Sequence, residues 1–279
     1  HNSSKMNPAK AFYANSSKSI QNRSIGYDPL ASGINTRQLS GASNLYKRCV
    51  KSVVLLVSID ATSLGSGSIV DTEGNIITNW HVVKGKDQML VWPYNKGLSQ
   101  LIDLDPESAL LANVVAIDPS RDLALLKLES TGAIPPTIIL GKPNSISIAD
   151  DVFAIGHPEG YIWSFTYGVV SQLRSKFAWA YEKNDDFRAD VIQTQTPSNP
   201  GNSGGPLFNS MGHLVGINSF SSDGQGLNFA VQVGEVTNFI SGVRKGQYTD
   251  LSMNNSKDSD DIKWEPIDLD DNGIVDGYR

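Results

Sequence analysis

Gln193-Thr-Gln-Thr-Pro197-Ser-Asn-Pro-Gly201-Asn-Ser203-Gly-Gly-Pro-Leu-Phe208, followed after a short turn by His213-Leu-Val-Gly-Ile-Asn218, is the most informative stretch of this 279-residue chain. Gly201, Gly204, Gly205 and the prolines break any helical period, so Ser203 sits on a loop. Strand-like apolar runs at Val191 to Thr194 and Leu214 to Asn218 hold that loop from both sides. A serine presented in this way can expose its hydroxyl while neighbouring amides point into the same small space. That suits acyl transfer, in which a nucleophile attacks a carbonyl and amide donors receive the charge developing on its oxygen. A Gly-rich hairpin turn with an incidental serine is the alternative, and partners for Ser203 must decide between them.

Outward from this stretch the chain is a series of short apolar runs separated by turn residues. They lie at Val50 to Ile59, Ser66 to Val70, Asn75 to Asn79, Met89 to Trp92, Leu110 to Ile117, Leu123 to Leu128, Val152 to Ile155, Phe165 to Leu173, Val191 to Thr194, Pro206 to Phe208, Leu214 to Ser219 and Leu227 to Val233. Asp71-Thr-Glu-Gly74 reads as a hairpin turn between two of them. About a dozen short strands without intervening helical periods predict an all-β fold of antiparallel barrels or sandwiches. Gly132 to Asn144, with its prolines and glycines, is the expected linker between two strand sets. Val236, Phe239, Ile240 and Val243 share one face of a predicted C-terminal helix that Gly246 closes. Residues 1–45 lack an apolar period and are expected to form an irregular arm, and residues 247–279 a polar tail.

With 39% hydrophobic and 19% charged residues the chain is globular, and a net charge of -6 argues against nucleic acid or anionic lipid as main partner. No apolar run approaches the roughly 18 to 20 residues of a membrane span. His1 is not followed by the basic and apolar regions of an export signal. Cys49 is the only cysteine, which excludes an internal disulfide, and it reads as a small apolar core residue.

Two other stretches supply what Ser203 needs. In Ile76-Ile-Thr-Asn-Trp-His81 a strand-like run ends in a histidine, and in Ser120-Arg-Asp122-Leu-Ala-Leu-Leu an acidic residue opens an apolar run. A neutral imidazole can take a serine proton, and a buried carboxylate can hold the ring and stabilise the imidazolium that forms. His157 and His213 fall outside these motifs and read as surface or loop histidines.

The runs GSGSIVDTEGNIITNWHVV, RDLALLKL and SNPGNSGGPLFNSMGHLVGIN, with Phe153-Ala-Ile-Gly-His-Pro-Glu-Gly160 between them, resemble the bacterial-type trypsin-like serine peptidases, closest to the HtrA/DegP group. The similarity covers roughly residues 48 to 245. It implies a chymotrypsin-like fold of two six-stranded antiparallel β-barrels with a C-terminal helix, the barrels at about 46–140 and 145–246 and the active site between them. It also implies His81 as general base, Asp122 as its orienting partner, Ser203 as nucleophile and the amides of Gly201 and Ser203 as the oxyanion hole. By the same resemblance Pro197, Asn218, Ser219, Phe220, Ser221 and Asn228 line the primary pocket. The expected partners are exposed polypeptides, with no cofactor required and an extracytoplasmic location.

Departures from relatives are informative. Asn202 stands where animal trypsins carry the Asp that pairs with a newly cut N-terminus, so activation by N-terminal insertion is not expected. Nothing after Gly246 has the length of the PDZ domain that normally follows the HtrA protease. Pro197 stands where enzymes that cut after Lys or Arg carry an acidic residue, and an uncompensated buried cation is costly. Cleavage after small or medium apolar residues is therefore expected. Near the C-terminus Asp268, Asp270, Asn272, Ile274 and Asp276 resemble a Ca2+ loop, but Arg279 occupies the position of the bidentate Glu. A solvated acidic tail is the competing reading there, as a catalytically inactive peptide-binding module is for the whole chain.

Overall fold

The structure is a computed structural model that describes residues 36–129, 132–181, 185–222 and 227–248. Its strands form because alternate side chains have two separate apolar surfaces to enter. In β1 (Val53–Ser58) every residue is buried. Val54 and Leu56 pack inside the first barrel, while Val53, Leu55 and Val57 join a larger cluster shared with the second sheet. β2 (Leu64–Ile69), β3 (Asn75–Thr78), β4 (Gln88–Pro93), β5 (Leu110–Asp118) and β6 (Leu123–Glu129) complete a closed antiparallel barrel in the order β1-β2-β3-β6-β5-β4.

The second sheet is built from β7 (Ile139–Leu140), β8 (Asp151–Gly156), β9 (Ser164–Trp179), β10 (Phe187–Thr194), β11 (Pro206–Asn209), β12 (His213–Ser221) and β13 (Asn228–Gln232). Its order is β11-β8-β9-β10-β13-β12-β7, and an additional β11–β12 pairing closes six of the strands into a ring. Alternation repeats in β8, where Val152 and Ala154 face the inner cluster and Phe153 and Ile155 the shared one. The expected fold of two six-stranded antiparallel barrels is thus present, with β7 as a short parallel addition to β12. β7 falls inside the expected linker, so the second sheet begins at Ile139 and not near residue 145.

Four elements differ from expectation. Helix α1 (Thr36–Cys49) occupies the end of the arm expected to be irregular. Leu45 and Cys49, four residues apart, share a buried face, and Tyr46 donates to the Trp163 carbonyl at 2.9 Å. Ala42 and Tyr46 pack beside them, and docking of this face rather than propensity holds an otherwise polar helix. β9 and β10 run further than their apolar cores, to Trp179 and back from Phe187. Arg174 and Lys176 interrupt the apolar run there, yet the stacked rings of Trp179 and Phe220, 4.5 Å apart, carry the hairpin on. The short helix α2 (Trp80–Val83) follows β3 directly and carries His81.

Helix α3 (Val233–Arg244) buries Val236, Phe239 and Ile240, and Gly246 follows in the left-handed region at φ 68°. Glu235 in its first turn pairs with Arg121 at 2.8 Å and accepts the Asp190 amide at 3.0 Å, which joins the two barrels. Arg121 also pairs with buried Asp118 at 2.6 Å. Burial alone would raise the Asp118 pKa, but hydrogen bonds from Ser120, Arg121 and Tyr248 outweigh it and hold the value below the ordinary one. A carboxyl lowered on folding stabilises the protein above its unfolded pKa of about 3.9 and loses that contribution as pH falls through the folded value. Asp118→Asn should therefore lower the thermal midpoint at neutral pH, with the gap to wild type narrowing below about pH 4. A gap unchanged down to acid pH would contradict this.

Candidate active site

Asp122 is fully buried and ends the turn Pro119–Arg121 in the left-handed region, at φ 56° and ψ 44°. That turn is capped by the Asp118 side chain, which accepts the Arg121 amide at 3.2 Å. The unusual backbone aims the Asp122 carboxylate at His81. His81 N donates to Oδ1 at 2.9 Å, and His81 Nδ1 lies 2.8 Å from Oδ2 and 3.0 Å from Oδ1. A carboxylate only accepts, so Nδ1 carries a proton, and it is Nε2 that can act as the acceptor. Asn79, just before α2, donates to the Asp122 carbonyl at 2.9 Å and fixes the approach of the two segments.

The second barrel completes the shell. Ser219 Oγ donates to Asp122 Oδ2 at 2.6 Å, and the Tyr181 hydroxyl lies 3.2 Å from the same oxygen. Tyr181 also sets its ring against the His81 imidazole, with centroids 4.7 Å apart. Desolvation of its hydroxyl end, reinforced by the Asp122 charge, raises the Tyr181 pKa well above the ordinary value, so it remains a donor.

Ser203 is held between the barrels by backbone bonds. Ser66 N in β2 donates to Ser203 O at 2.8 Å, and Gly204 N donates to Asn218 O at 2.8 Å. A Cβ on Gly204 would lie 2.0 Å from Thr78 Oγ1, and the residue has φ 81°, so only glycine fits. Ahead of Ser203, Asn199 O accepts from Asn202 N at 2.9 Å across Pro200 and Gly201, whose φ is 97°. This is the pattern of a type II turn. The Gly201 and Ser203 amides meet no acceptor among the described residues. Ser203 Oγ donates to the Ser219 carbonyl at 3.1 Å and makes no hydrogen bond with His81. Ser219 therefore links Asp122 to Ser203, with its hydroxyl on the first and its carbonyl on the second.

The residues expected to line the primary pocket are unevenly placed. Phe220 stacks on Phe229 at 4.6 Å, Asn228 Oδ1 accepts the Ser198 amide at 3.2 Å, and the Pro197 carbonyl accepts from Asn202 Nδ2 at 3.0 Å. Asn218 is buried and turns its amide to the Gly205 and Pro206 carbonyls, both at 3.3 Å, so it braces the loop; Ser221 is exposed. His157 departs from expectation, because it is fully buried and its pKa is pushed down to about 3 by desolvation. His213 is half-buried at the start of β12, and Cys49 is buried with its pKa raised by that burial. The Asp268, Asp270, Asn272, Ile274 and Asp276 loop lies outside the described residues. Sequence reasoning missed the bond from Ser219 to Asp122 and all of Tyr181. Tyr181 sits in a polar connection with no pattern, and only the fold brings it to Asp122.

The family model of the trypsin-like peptidase domain matches residues 65–217. A protein of Ectopseudomonas mendocina described as a DegP-like periplasmic serine endoprotease is 41% identical over 176 residues, covering 62% of this chain and 33% of its own length. A protein of the same description from Halomonas elongata is 37% identical over 180 residues, covering 63% of this chain and 34% of its own. The chain thus spans about a third of the length of these curated relatives. Among solved structures, Deg5 superposes with a TM-score of 0.61 at 28% identity, covering 76% of this chain and 97% of Deg5. The inactive form of a protease of M. tuberculosis H37Rv shares the fold at 22% identity, with a TM-score of 0.60 and coverage of 80% and 99%.

The donors around Asp122 make a stability prediction. Asp122→Ala leaves buried donors of His81 and Ser219 unpaired and should cost about 1–3 kcal/mol in denaturant unfolding. Ser203→Ala removes one weakly held hydroxyl and should stay within about 0.5 kcal/mol of wild type. Equal effects of the two substitutions would contradict this account of the Asp122 shell.

Proposed function

The chain belongs to the trypsin-like peptidase family, and from that premise we propose that it is a serine endopeptidase acting on exposed or unfolded polypeptides. The observation that carries the reading is Ser219, which touches both Asp122 and Ser203 while Asp122 holds His81. A rotation of the Ser203 side chain away from the Ser219 carbonyl presents its hydroxyl to His81 Nε2; such bonds tighten when substrate binds. The Ser219 carbonyl, which also lies 3.3 Å from the Tyr181 hydroxyl, then has a lone pair open to a substrate backbone amide.

In the proposed reaction His81 Nε2 takes the Ser203 proton as Oγ attacks the scissile carbonyl carbon. The amides of Gly201 and Ser203 receive the negative charge on the carbonyl oxygen, and Asp122 stabilises the imidazolium. His81 then protonates the leaving amine, and an acyl-enzyme on Ser203 remains. Water, giving its proton to Nε2, attacks the ester and releases the acid with the serine restored.

For specificity we propose cleavage after small or medium apolar residues. Phe220 and Phe229 stack beside the pocket, and none of the residues assigned to it is ionisable. A lysine or arginine would lose hydration there without a counter-charge. An extracytoplasmic location is proposed from the periplasmic description of the relatives. No helix of the described residues is long and apolar enough to cross a membrane.

A fluorophosphonate should label the protein on Ser203, and Ser203→Ala should abolish labelling. Asp122→Asn should slow it on the order of 10⁴-fold, because the amide has no negative charge and its NH2 can donate to Nδ1, which favours the wrong tautomer of the ring. No labelling of folded wild type between about pH 6 and 9 would favour a non-catalytic peptide-binding module. Peptides with Ala, Val or Leu before the scissile bond should be cut faster than those with Lys or Arg, and the reverse order would overturn the specificity proposal.

A further inference from the structure

His157 and Ser66 lie outside the proposed proton-transfer path, yet they meet at the Gly201 peptide. Both side chains are fully buried. Ser66 Oγ donates to the Gly201 carbonyl at 2.7 Å and lies 2.7 Å from His157 Nδ1. A hydroxyl has one proton, and the carbonyl can only accept, so that proton goes to Gly201 O and His157 Nδ1 must donate to Ser66 Oγ. This fixes the neutral tautomer with the proton on Nδ1. It agrees with His157 Nε2, which is buried without a partner beside Trp163, the two rings being 5.4 Å apart.

The same loop grips the preceding peptide. Glu159 N donates to Pro200 O at 2.9 Å, and Glu159 itself is in the left-handed region at φ 52°. A trans peptide points its N–H opposite to its C=O, so holding Pro200 O turns the Gly201 N–H away from the 157–160 loop. A Pro-Gly pair at the centre of a turn can adopt type I or type II, and these differ by reversal of the central peptide. In the type I form the Gly201 N–H would face the other way and be lost as a donor. Substitution at Gly201 is also barred, because a Cβ there would lie 2.1 Å from His157 O.

We propose that Ser66 and His157 are positioning residues that lock the Pro200–Gly201 turn with the Gly201 amide available to an oxyanion before substrate arrives. The lock rests on the serine-peptidase reading of Ser203. Without the Ser66 hydroxyl, Gly201 O keeps only the 3.4 Å contact from His157 N and His157 Nδ1 loses its acceptor, which loosens the 157–160 loop whose Glu159 N holds Pro200 O and, with it, the peptide that can reverse.

The test compares wild type with Ser66→Ala, His157→Ala and His157→Asn, by steady-state kinetics on one peptide substrate, thermal midpoints and a crystal structure of Ser66→Ala. Loss of a whole oxyanion donor costs about 10²–10³-fold in kcat, so partial release by Ser66→Ala or His157→Ala should cost about 10- to 100-fold with KM changed less than about 3-fold. In His157→Asn the side-chain amide nitrogen stands near the place of Nδ1 and can still donate to Ser66 Oγ, so kcat should return to within about 5-fold of wild type. The Ser66→Ala crystal structure should show the Pro200–Gly201 peptide reversed or in two orientations. A kcat within about 2-fold of wild type in Ser66→Ala would overturn the lock, as would His157→Asn as slow as His157→Ala. If His157→Ala fails to fold, Ser66→Ala and His157→Asn decide. A wild type that hydrolyses nothing refutes the peptidase reading, and the Ser66→Ala crystal structure then judges the lock by itself: an unchanged turn overturns it.

Discussion

The buried carboxylate of Asp122 is the constraint around which this molecule is arranged. A charge with no exposed surface is tolerable only when its lone pairs are occupied. Here the occupants come from both barrels: the backbone amide and ring of His81 from the first, the hydroxyls of Ser219 and Tyr181 from the second. Satisfying Asp122 therefore fixes how the barrels meet. The left-handed backbone at Asp122 is part of that arrangement, held by the capped turn before it. Because the turn is also tied to α3 through Arg121 and Glu235, the C-terminal helix supports the site it does not touch.

A second constraint is steric and acts on the loop before Ser203. Gly201 and Gly204 take positive φ where neighbouring backbone leaves no room for a Cβ. The carbonyls of that loop are held by Glu159, Ser66 and Asn199's turn partner, while the Gly201 and Ser203 amides meet no acceptor among the described residues. Strain of this kind persists only where surrounding contacts over-determine it. Here those contacts include a chain of two buried polar side chains, and the loop is rigid because its carbonyls and the Asn202, Gly204 and Gly205 amides are engaged.

Much of this was legible in the chain itself. Short apolar runs between turn residues mark the strands of both barrels because many of these strands bury two faces, and the C-terminal helix is visible as a period of 3.6. His81, Asp122 and Ser203 stand out in the sequence because a strand-like run ends at His81, another opens at Asp122 and Ser203 sits in a glycine-rich loop, each in a motif that resembles a known family. Partners of the opposite kind were not legible. Ser219 looked like one more pocket residue, His157 like a loop histidine and Tyr181 like part of a polar connection, since their contacts span long sequence separations and follow no period. Helix α1 was hidden for a related reason: its stability comes from docking Leu45 and Cys49 and not from its own composition.

A single adduct tests the account most directly: the crystal structure of the chain after reaction with a phosphonate. The account requires phosphorus bonded to Ser203 Oγ, with the phosphonyl oxygen about 2.7–3.1 Å from the amides of both Gly201 and Ser203. Phosphorus on another residue, or an oxygen on Ser203 that meets neither amide, would contradict it.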